Sequence, residues 1–446
     1  MTVAEVLEPL VVATLGEALP LRVDCWDGSS LGPRDSALHV RFTSRRALRR
    51  LLWAPNELGF ARAYVSGDIQ IGGDLLDAMT RLEEFADPQR GPGVHIDRST
   101  RAAVARAVLR LGAVGPPPPP PPEEIRLSGR RHSRRRDARA ISHHYDVGND
   151  FYSLVLGPSM VYSCAYFEDE PSAKYTLEDA QHAKLDLVAR KLGLHSGMRV
   201  LDVGCGWGAF VVHVARTYGV RAVGVTLSRE QAAFARARVE AEGLSDRVEI
   251  RVQDYRDVDD GPFDAVASIG MAEHVGREQL PEYAHHLQSL LAVRGRLLNH
   301  AISRRPGPPG DPKAERKRER KGDRTSFIER YVFPDGELEP LCTMVEAIEA
   351  AGLEVRDVES LREHYALTLR EWVRNLEHEW DRAVDLSSAG RSRVWRLYMA
   401  GSALAFRANR IGVNQILAVK PAPQGESGMP RTRDQQGGSR AVASAG

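Results

Sequence analysis

An α/β chain, with a mostly parallel sheet covered on both faces and a smaller α/β unit before it, is what this sequence predicts. Three observations carry that prediction. Strand-like and helix-like segments alternate with short connections from 176 to 302. A glycine-rich turn, GCGWG at 204–208, stands between the first of those strands and the helix that follows. An unbroken run of proline, Pro116–Pro122, separates this region from the residues before it. Alternating β and α units joined by short loops wind into a parallel sheet flanked by helices. Ligands then bind at the carboxyl ends of the strands.

In chain order, residues 1–110 mix strand-like LRVDCWDGS and ALHVRF with helical SRRALRRLLW and DLLDAMTRLEEF. They read as a small α/β accessory or dimerisation domain, since no nucleophile and base recur there at a recognisable spacing. Residues 111–140 read as a linker: the proline run forms a stiff extended spacer, and the segment 126–139 is dense in arginine against one acid, Asp137. The larger domain spans 141–420. In it, Thr176 and Asp179 make a capping box for the helix LEDAQHAKLDLVARKL, which Gly193 stops. Strand 198–203, the glycine turn and a helix through Tyr218 come next. Strand 220–225, helix 229–242, strands 247–252 and 263–269, helix 278–291 and strand 295–302 complete the alternation. Arg304–Arg324, with nine basic and four acidic residues, reads as a loop. Residues 421–446, rich in Gly, Ser, Pro and Gln, read as a disordered tail.

Composition narrows the function. The chain of 446 residues is 42% hydrophobic and 27% charged, and no uncharged apolar run approaches the ~18 residues that span a bilayer. Glu5, Glu8 and Glu17 interrupt the N-terminal apolar stretch, unlike a secretion signal. A cytoplasmic protein is expected. Cys25, Cys164, Cys205 and Cys342 are too scattered for a disulfide framework or a zinc site, so no metal is expected. With 61 basic and 60 acidic residues the chain has no overall bias toward polyanions, and no nucleic-acid module is recognisable.

Gly204, Gly206 and Gly208 let the backbone approach a ligand where a helix N-terminus offers free N–H groups. Gly204, Gly206 and Ala209 also satisfy the loose dinucleotide pattern, so a nicotinamide cofactor competes. That reading wants an acid at the tip of the second strand, where Thr226 and Ser228 stand instead. The tight glycine spacing after Asp202 resembles the S-adenosylmethionine turn of class I methyltransferases. Ser228 and Gln231 form a second capping box, and they equally face the ribose and adenine side of such a cofactor. Asp254 and Tyr255 follow the third strand, where an adenine is gripped; ordinary polar residues at a strand end are the plainer alternative.

The blocks HHYDVGNDFYSLVLGPSMVYSCAYF (143–167), AQHAKLDLVARKLGL, GMRVLDVGCGWGAF, GVTLSREQ, QDYRDV and SIGMAEHVG resemble the cyclopropane-fatty-acyl-phospholipid synthase family over about 140 to 420. RLLNHAI, ERYVFPDGEL, LREHYALTLREW and LYMAGSALAF look most like its actinobacterial branch, which makes 10-methylene acyl chains on the way to tuberculostearic acid. The resemblance implies a class I, Rossmann-like methyltransferase fold with a seven-stranded sheet and acyl-binding helices. It implies S-adenosylmethionine as methyl donor and a bicarbonate ion as base. It assigns bicarbonate to Cys164, Glu273, His300, Tyr365 and the backbone of Ile302, and the methyl donor to Tyr162, Ser163, Gly204, Gly206, Thr226, Gln231 and Tyr255.

Taken singly, each has a plain structural reading. Cys164 suits a small buried position, Glu273 a helix cap, and His300 a satisfied core histidine; Tyr365 says little alone. An isolated alkene is a weak, neutral nucleophile, so the sulfonium must drive the reaction when held in line with the double bond. The cation left on the chain needs stabilisation without water, which aromatic faces supply; Tyr145, Phe151, Tyr166 and Phe167 are the candidates, with plain core packing as the alternative. Ring closure gives a cyclopropane, and a hydride shift gives an exocyclic methylene. The expected partners are unsaturated phospholipids at the inner face of the plasma membrane, reached through the basic segment 130–139, a second copy in a homodimer, and a flavin- or NADPH-dependent reductase; no nucleic acid is expected. A methyltransferase acting on a small molecule or RNA, or a catalytically silent lipid-binding protein, are the competing readings.

Overall fold

The computed structural model describes residues 1–15, 19, 21–86, 98–125, 136, 147–306 and 326–432. The chain divides into two compact units. One comprises Met1–Arg126, Lys321–Pro334 and Leu376–Leu404; the other comprises Leu127–Arg320, Asp335–Asn375 and Ala405–Gly446.

The first unit is built on strands β1 (Arg22–Asp24), β2 (Ser30–Leu31), β3 (His39–Phe42) and β4 (Ile69–Gly72), in the order β2-β1-β3-β4. Ser44 caps the helix Arg45–Trp53 through the N–H of Arg46, and that helix turns Arg50 inward onto buried Asp68 at 2.8 Å. A buried charge is tolerated only when paired and hydrogen-bonded. The proline run is no free spacer: Pro119 accepts a hydrogen bond from Arg50 at 2.9 Å, and the Arg62 guanidinium binds Glu124 through two 2.7 Å bonds. Proline carbonyls keep their acceptor capacity, and an arginine from a neighbouring helix uses it. Arg396, more than 300 residues after Tyr64 in sequence, bonds the Tyr64 hydroxyl and the carbonyl of Gly73. The unit is thus completed by segments that local sequence does not join to it.

The second unit carries a sheet in the order β11-β12-β9-β8-β5-β6-β7. Its strands are β5 (Arg199–Val203), β6 (Arg221–Thr226), β7 (Val248–Val252), β8 (Phe263–Ile269), β9 (Leu291–Arg304), β11 (Glu354–Ser360) and β12 (Ile411–Val419), with the short β10 (Glu339–Pro340) beside β9. From β7 to β9 neighbours are parallel; β12 runs antiparallel to both its neighbours, β9 and β11. Period-two alternation sends Val200, Ala265 and Leu298 into one hydrophobic layer, and Leu201, Val266 and Leu297 into the other. The order reverses between β5 and β8, which opens a crevice at their carboxyl ends. Thr176 and Asp179 form the expected capping box on the helix Leu177–Leu192, and Gly193 ends it in the left-handed region at φ 65°.

The tail expected to be disordered from Pro421 begins as ordered chain: Ala422 and Glu426 exchange a backbone hydrogen bond, and Arg294 pairs with the Glu426 carboxylate. These contacts engage residues that composition marks as solvent-loving. The remainder of the tail lies outside the described residues.

Candidate active site

At the end of β5 the N–H groups of Gly204 and Cys205 both donate to the carbonyl of Val225, 3.0 Å each, which locks the turn against β6. Gly204, Gly206 and Gly208 all have positive φ, at 81°, 53° and 78°. Gly208 then caps the helix Ala209–Tyr218. A Cβ on Gly206 would meet nothing within 4 Å, whereas one on Gly204 would meet the Met271 side chain at 3.0 Å. Open space over a helix N-terminus is what a close-approaching ligand requires. Gly204→Ala is expected to lose about 1–2 kcal/mol of stability from the left-handed backbone alone. It should also weaken S-adenosylhomocysteine binding by calorimetry; unchanged affinity and melting temperature would remove the glycine requirement.

Asp202 lies just before this turn, buried, and burial pushes its carboxyl above the usual range while the charge of Lys184 opposes the shift. Thr226 and Gln231 meet through their side chains at 2.8 Å, and Ser228 accepts from the Gln231 N–H at 3.2 Å. Ser228 therefore caps its helix, but only half of a capping box forms because the Gln231 amide turns to Thr226. The Asp254 carboxylate accepts from Arg256, and Tyr255 packs edge-on against Tyr283 with ring centroids 5.6 Å apart.

The segment 161–167 is pinned by two elements. From the helix Leu177–Leu192, the Gln181 amide donates to the carbonyl of Ser163 at 3.0 Å and the Lys184 ammonium to its hydroxyl at 2.9 Å. From the helix Arg362–His378, Thr368 accepts the N–H of Ala165 at 3.0 Å. Cys164 is fully buried, and its thiol donates to the carbonyl of Leu361 at 3.6 Å. The N–H of Tyr365 bonds that same carbonyl at 3.0 Å. Burial pushes the Cys164 thiol well above its ordinary value, with nearby Lys184 opposing. The thiol stays protonated and serves as a hydrogen-bond donor, since only a thiolate is nucleophilic.

Glu273 follows β8 and accepts the N–H of Ile302 at 2.7 Å on Oε1. Its Oε2 is buried with no hydrogen-bond partner among the described residues, and the same holds for His300 Nε2. Burial raises the Glu273 carboxyl to about 7, the Ile302 bond opposing. Burial and the charges of Lys184 and Lys191 lower His300 to about 3, so its ring is neutral. His300 and Ile302 alternate with Asn299 along β9; Asn299 bonds the Tyr283 hydroxyl at 2.9 Å on the other face. The structure joins Glu273 to Ile302, and Cys164 to Tyr365 through Leu361. Lys184, which the sequence reading missed, acts electrostatically on Cys164, Asp202 and His300 together. Its only signal in the sequence is a polar residue on the apolar stripe between Ala180 and Val188.

Ring contacts run Trp207–Tyr152–Tyr162–Trp372–Tyr365–Phe406, with centroids 4.7 to 6.0 Å apart. Of the aromatic residues expected from sequence, Phe151 packs edge-on against Tyr152, Tyr166 stacks on His364 and Phe167 leans on Tyr175; Tyr145 lies outside the described residues. The ring contacts thus join residues spread from 152 to 406, a grouping no local pattern reveals. The basic segments 130–139 and 304–324 also lie outside the described residues, except for Arg136 and for Arg304 to Pro306. Arg136 grips buried Asp335 through two bonds of 2.6 and 2.8 Å and is therefore structural. No helix among the described residues is long and apolar enough to cross a membrane, and no cluster suited to a metal is found among them.

Residues 132–416 match the family described as mycolic acid cyclopropane synthetase. A probable fatty acid methyltransferase of Mycobacterium tuberculosis is 42% identical over 434 residues, 96% of this chain and 97% of that protein. A tuberculostearic acid methyltransferase of the same organism is 32% identical over 412 residues, 91% and 89% of the two chains. The crystal structure of the mycolic acid cyclopropane synthase CmaA1 with SAH and CTAB superposes with a TM-score of 0.57 at 34% identity, covering 64% of this chain and 98% of that one.

Proposed function

The chain belongs to the mycolic acid cyclopropane synthetase family, enzymes of S-adenosylmethionine-dependent methylation or cyclopropanation of unsaturated fatty acyl chains, and from that premise we propose a specific reaction. The methyl carbon is transferred to the cis double bond of an oleoyl-type chain in a membrane phospholipid, leaving a 10-methylene chain. Two relatives that run nearly the whole length of this chain bear methyltransferase names, one of them for tuberculostearic acid, which supports the methylene product over the ring. The observation that carries the reading is a buried carboxyl with one unpartnered oxygen, Glu273, two residues after Met271, whose side chain lies against Gly204 of the turn. Methyl transfer to an alkene leaves a carbocation whose C–H proton must go to a base shielded from water, whereas a nitrogen or oxygen acceptor loses an N–H or O–H proton that solvent can take.

Gly204, Gly206, Gly208, Thr226 and Gln231 would hold the methyl donor, with Asp202 and Lys184 beneath it, and Tyr162 and Trp372 walling the region where the alkene lies. Their ring faces attract the positive charge that develops on the chain, roughly 0.5–2 kcal/mol each, and their bulk keeps water from it. The unpartnered atoms Glu273 Oε2 and His300 Nε2 fit a small oxyanion. Bicarbonate, when bound, supplies the base that takes the surplus proton. Glu273, His300, Cys164 and Tyr365 would orient it, while the N–H of Ile302 is directed to Glu273 itself. On this reading the enzyme works at the inner leaflet as a homodimer, and a separate flavin- or NADPH-dependent reductase adds two hydrogens to the methylene.

Incubation with oleoyl phospholipid vesicles and methyl-labelled S-adenosylmethionine should add one CH₂ to the acyl chain by mass spectrometry, with vinylic protons in the NMR spectrum. Ring protons would reassign the product to a cyclopropane, and an unchanged lipid mass would reject the lipid substrate. Neutralising Arg130, Arg131, Arg134 and Arg135 should weaken binding to anionic vesicles in a salt-dependent way, at about 1 kcal/mol per residue. Equal vesicle binding at low salt would leave that segment without a membrane role.

A further inference from the structure

Behind His300 lies a row of side chains that the reaction as described does not use. Glu359 on β11, Gln415 on β12 and His300 on β9 are consecutive cross-strand register partners. Lys191, from the last turn of the helix Leu177–Leu192, reaches this row: its ammonium donates to Gln415 Oε1 at 2.8 Å and pairs with the Glu359 carboxylate. The Gln415 amide nitrogen stands 3.3 Å from His300 Nδ1. Gln415 is fully buried, and Lys191 is 8% exposed.

The chemistry of these groups leaves one arrangement. A lysine ammonium has three donors and no acceptor, so the end of the Gln415 amide that faces it must be the oxygen. The NH₂ end then faces His300, and Nδ1 must accept. A neutral imidazole with Nδ1 accepting carries its proton on Nε2, and Nε2 is the buried atom with no partner. We propose that Lys191 and Gln415 are positioning residues that fix His300 as the Nε2–H tautomer, so that it presents a hydrogen-bond donor, never an acceptor, to the oxyanion held with Glu273. The inference deepens the proposed reaction and rests on it for the identity of that oxyanion, but the tautomer itself does not. Glu359 and Asp357, the carboxylates nearest Lys191, keep its charge in place; Lys184 is the other cation acting on the ring. In metal sites, outer partners that fix a ligating histidine's tautomer are worth about 10–100-fold in function, and a loss of the same order is expected here.

The test uses the full-length protein labelled with ¹⁵N-histidine, His300 being assigned by the signal missing in His300→Asn. The wild-type ring should show an acceptor-type Nδ1 and a protonated Nε2, with or without added bicarbonate. Lys191→Arg, which keeps a donor toward Gln415, should retain that pattern and most of the turnover. Lys191→Met frees the amide to rotate, and Gln415→Leu removes it. Both should give a mixed-tautomer spectrum and a kcat reduced about 10–100-fold, with S-adenosylhomocysteine affinity unchanged. A wild-type spectrum with the proton on Nδ1, or variants that fold, keep the wild-type ring pattern and turn over within twofold, would overturn the assignment. If Gln415→Leu does not fold, the Lys191 pair decides alone. Because the ring spectrum is read without turnover, a wrong lipid substrate and a wrong tautomer give separate failures.

Discussion

Glu273→Gln is expected to abolish most turnover while leaving the fold and the methyl-donor site intact. Glutamine keeps an oxygen to accept the Ile302 N–H but cannot orient or share a proton as a carboxyl does, so a loss of about 10²–10⁴ is expected. Wild-type activity should rise with pH through about 7, the value to which burial lifts this carboxyl. The same shift predicts a stability signature. Because the folded-state value lies above the unfolded one of 4.5, the contribution is complete below about 4.5 and lost as pH rises to about 7. Above that, an ionised carboxylate must be kept in a dry pocket. Urea unfolding should find the variant and wild type similar at pH 5 and the variant more stable at pH 8, by on the order of 3 kcal/mol. A stability difference that does not change with pH would contradict the buried carboxyl, and near-normal turnover would contradict its role.

Trp372→Ala should be among the most destabilising single changes in the second unit. The side chain is fully buried on the helix Arg362–His378, between the rings of Tyr162 at 5.5 Å and Tyr365 at 6.0 Å. Truncating a buried tryptophan costs about 3–5 kcal/mol, part transfer and part cavity. Its indole N–H has no hydrogen-bond partner among the described residues, so Trp372→Phe forfeits packing only and should cost less than half as much. Both changes loosen Tyr162 and Tyr365 together, and KM for S-adenosylmethionine should rise with them. Thermal melts giving the Ala and Phe variants equal losses would show that the indole is not packed as described.

Much of the second unit was legible in the sequence because its signals are local. The strand at 263–269 and the helix capped by Thr176 and stopped by Gly193 follow from residues within a few positions of one another. The turn at 204–208 was readable for the same reason: only glycine suits three positive φ angles in five residues. Lys184 and Gln415 were not legible. A lysine in a helix and a glutamine in a strand ordinarily face water, and nothing nearby states that one reaches Ser163 and the other stands between Lys191 and His300. The proline run misled in the opposite sense, since its local stiffness says nothing of the arginine that bonds it.

Sequence alone therefore determined the order of the elements and the glycine turn, and a family resemblance nominated Glu273, Cys164, His300 and Tyr365 as the proposed chemical set. Tertiary structure alone decided their states: which carboxyl oxygen is left unpartnered, that the thiol stays protonated, which imidazole nitrogen faces Gln415, and which rings touch one another. The physical reason is that turns and amphipathic periods depend on neighbours in the chain, whereas desolvation and hydrogen-bond partnership depend on neighbours in space. In this chain such spatial neighbours are separated by hundreds of residues: 224 positions separate Lys191 from Gln415, and 332 separate Tyr64 from Arg396.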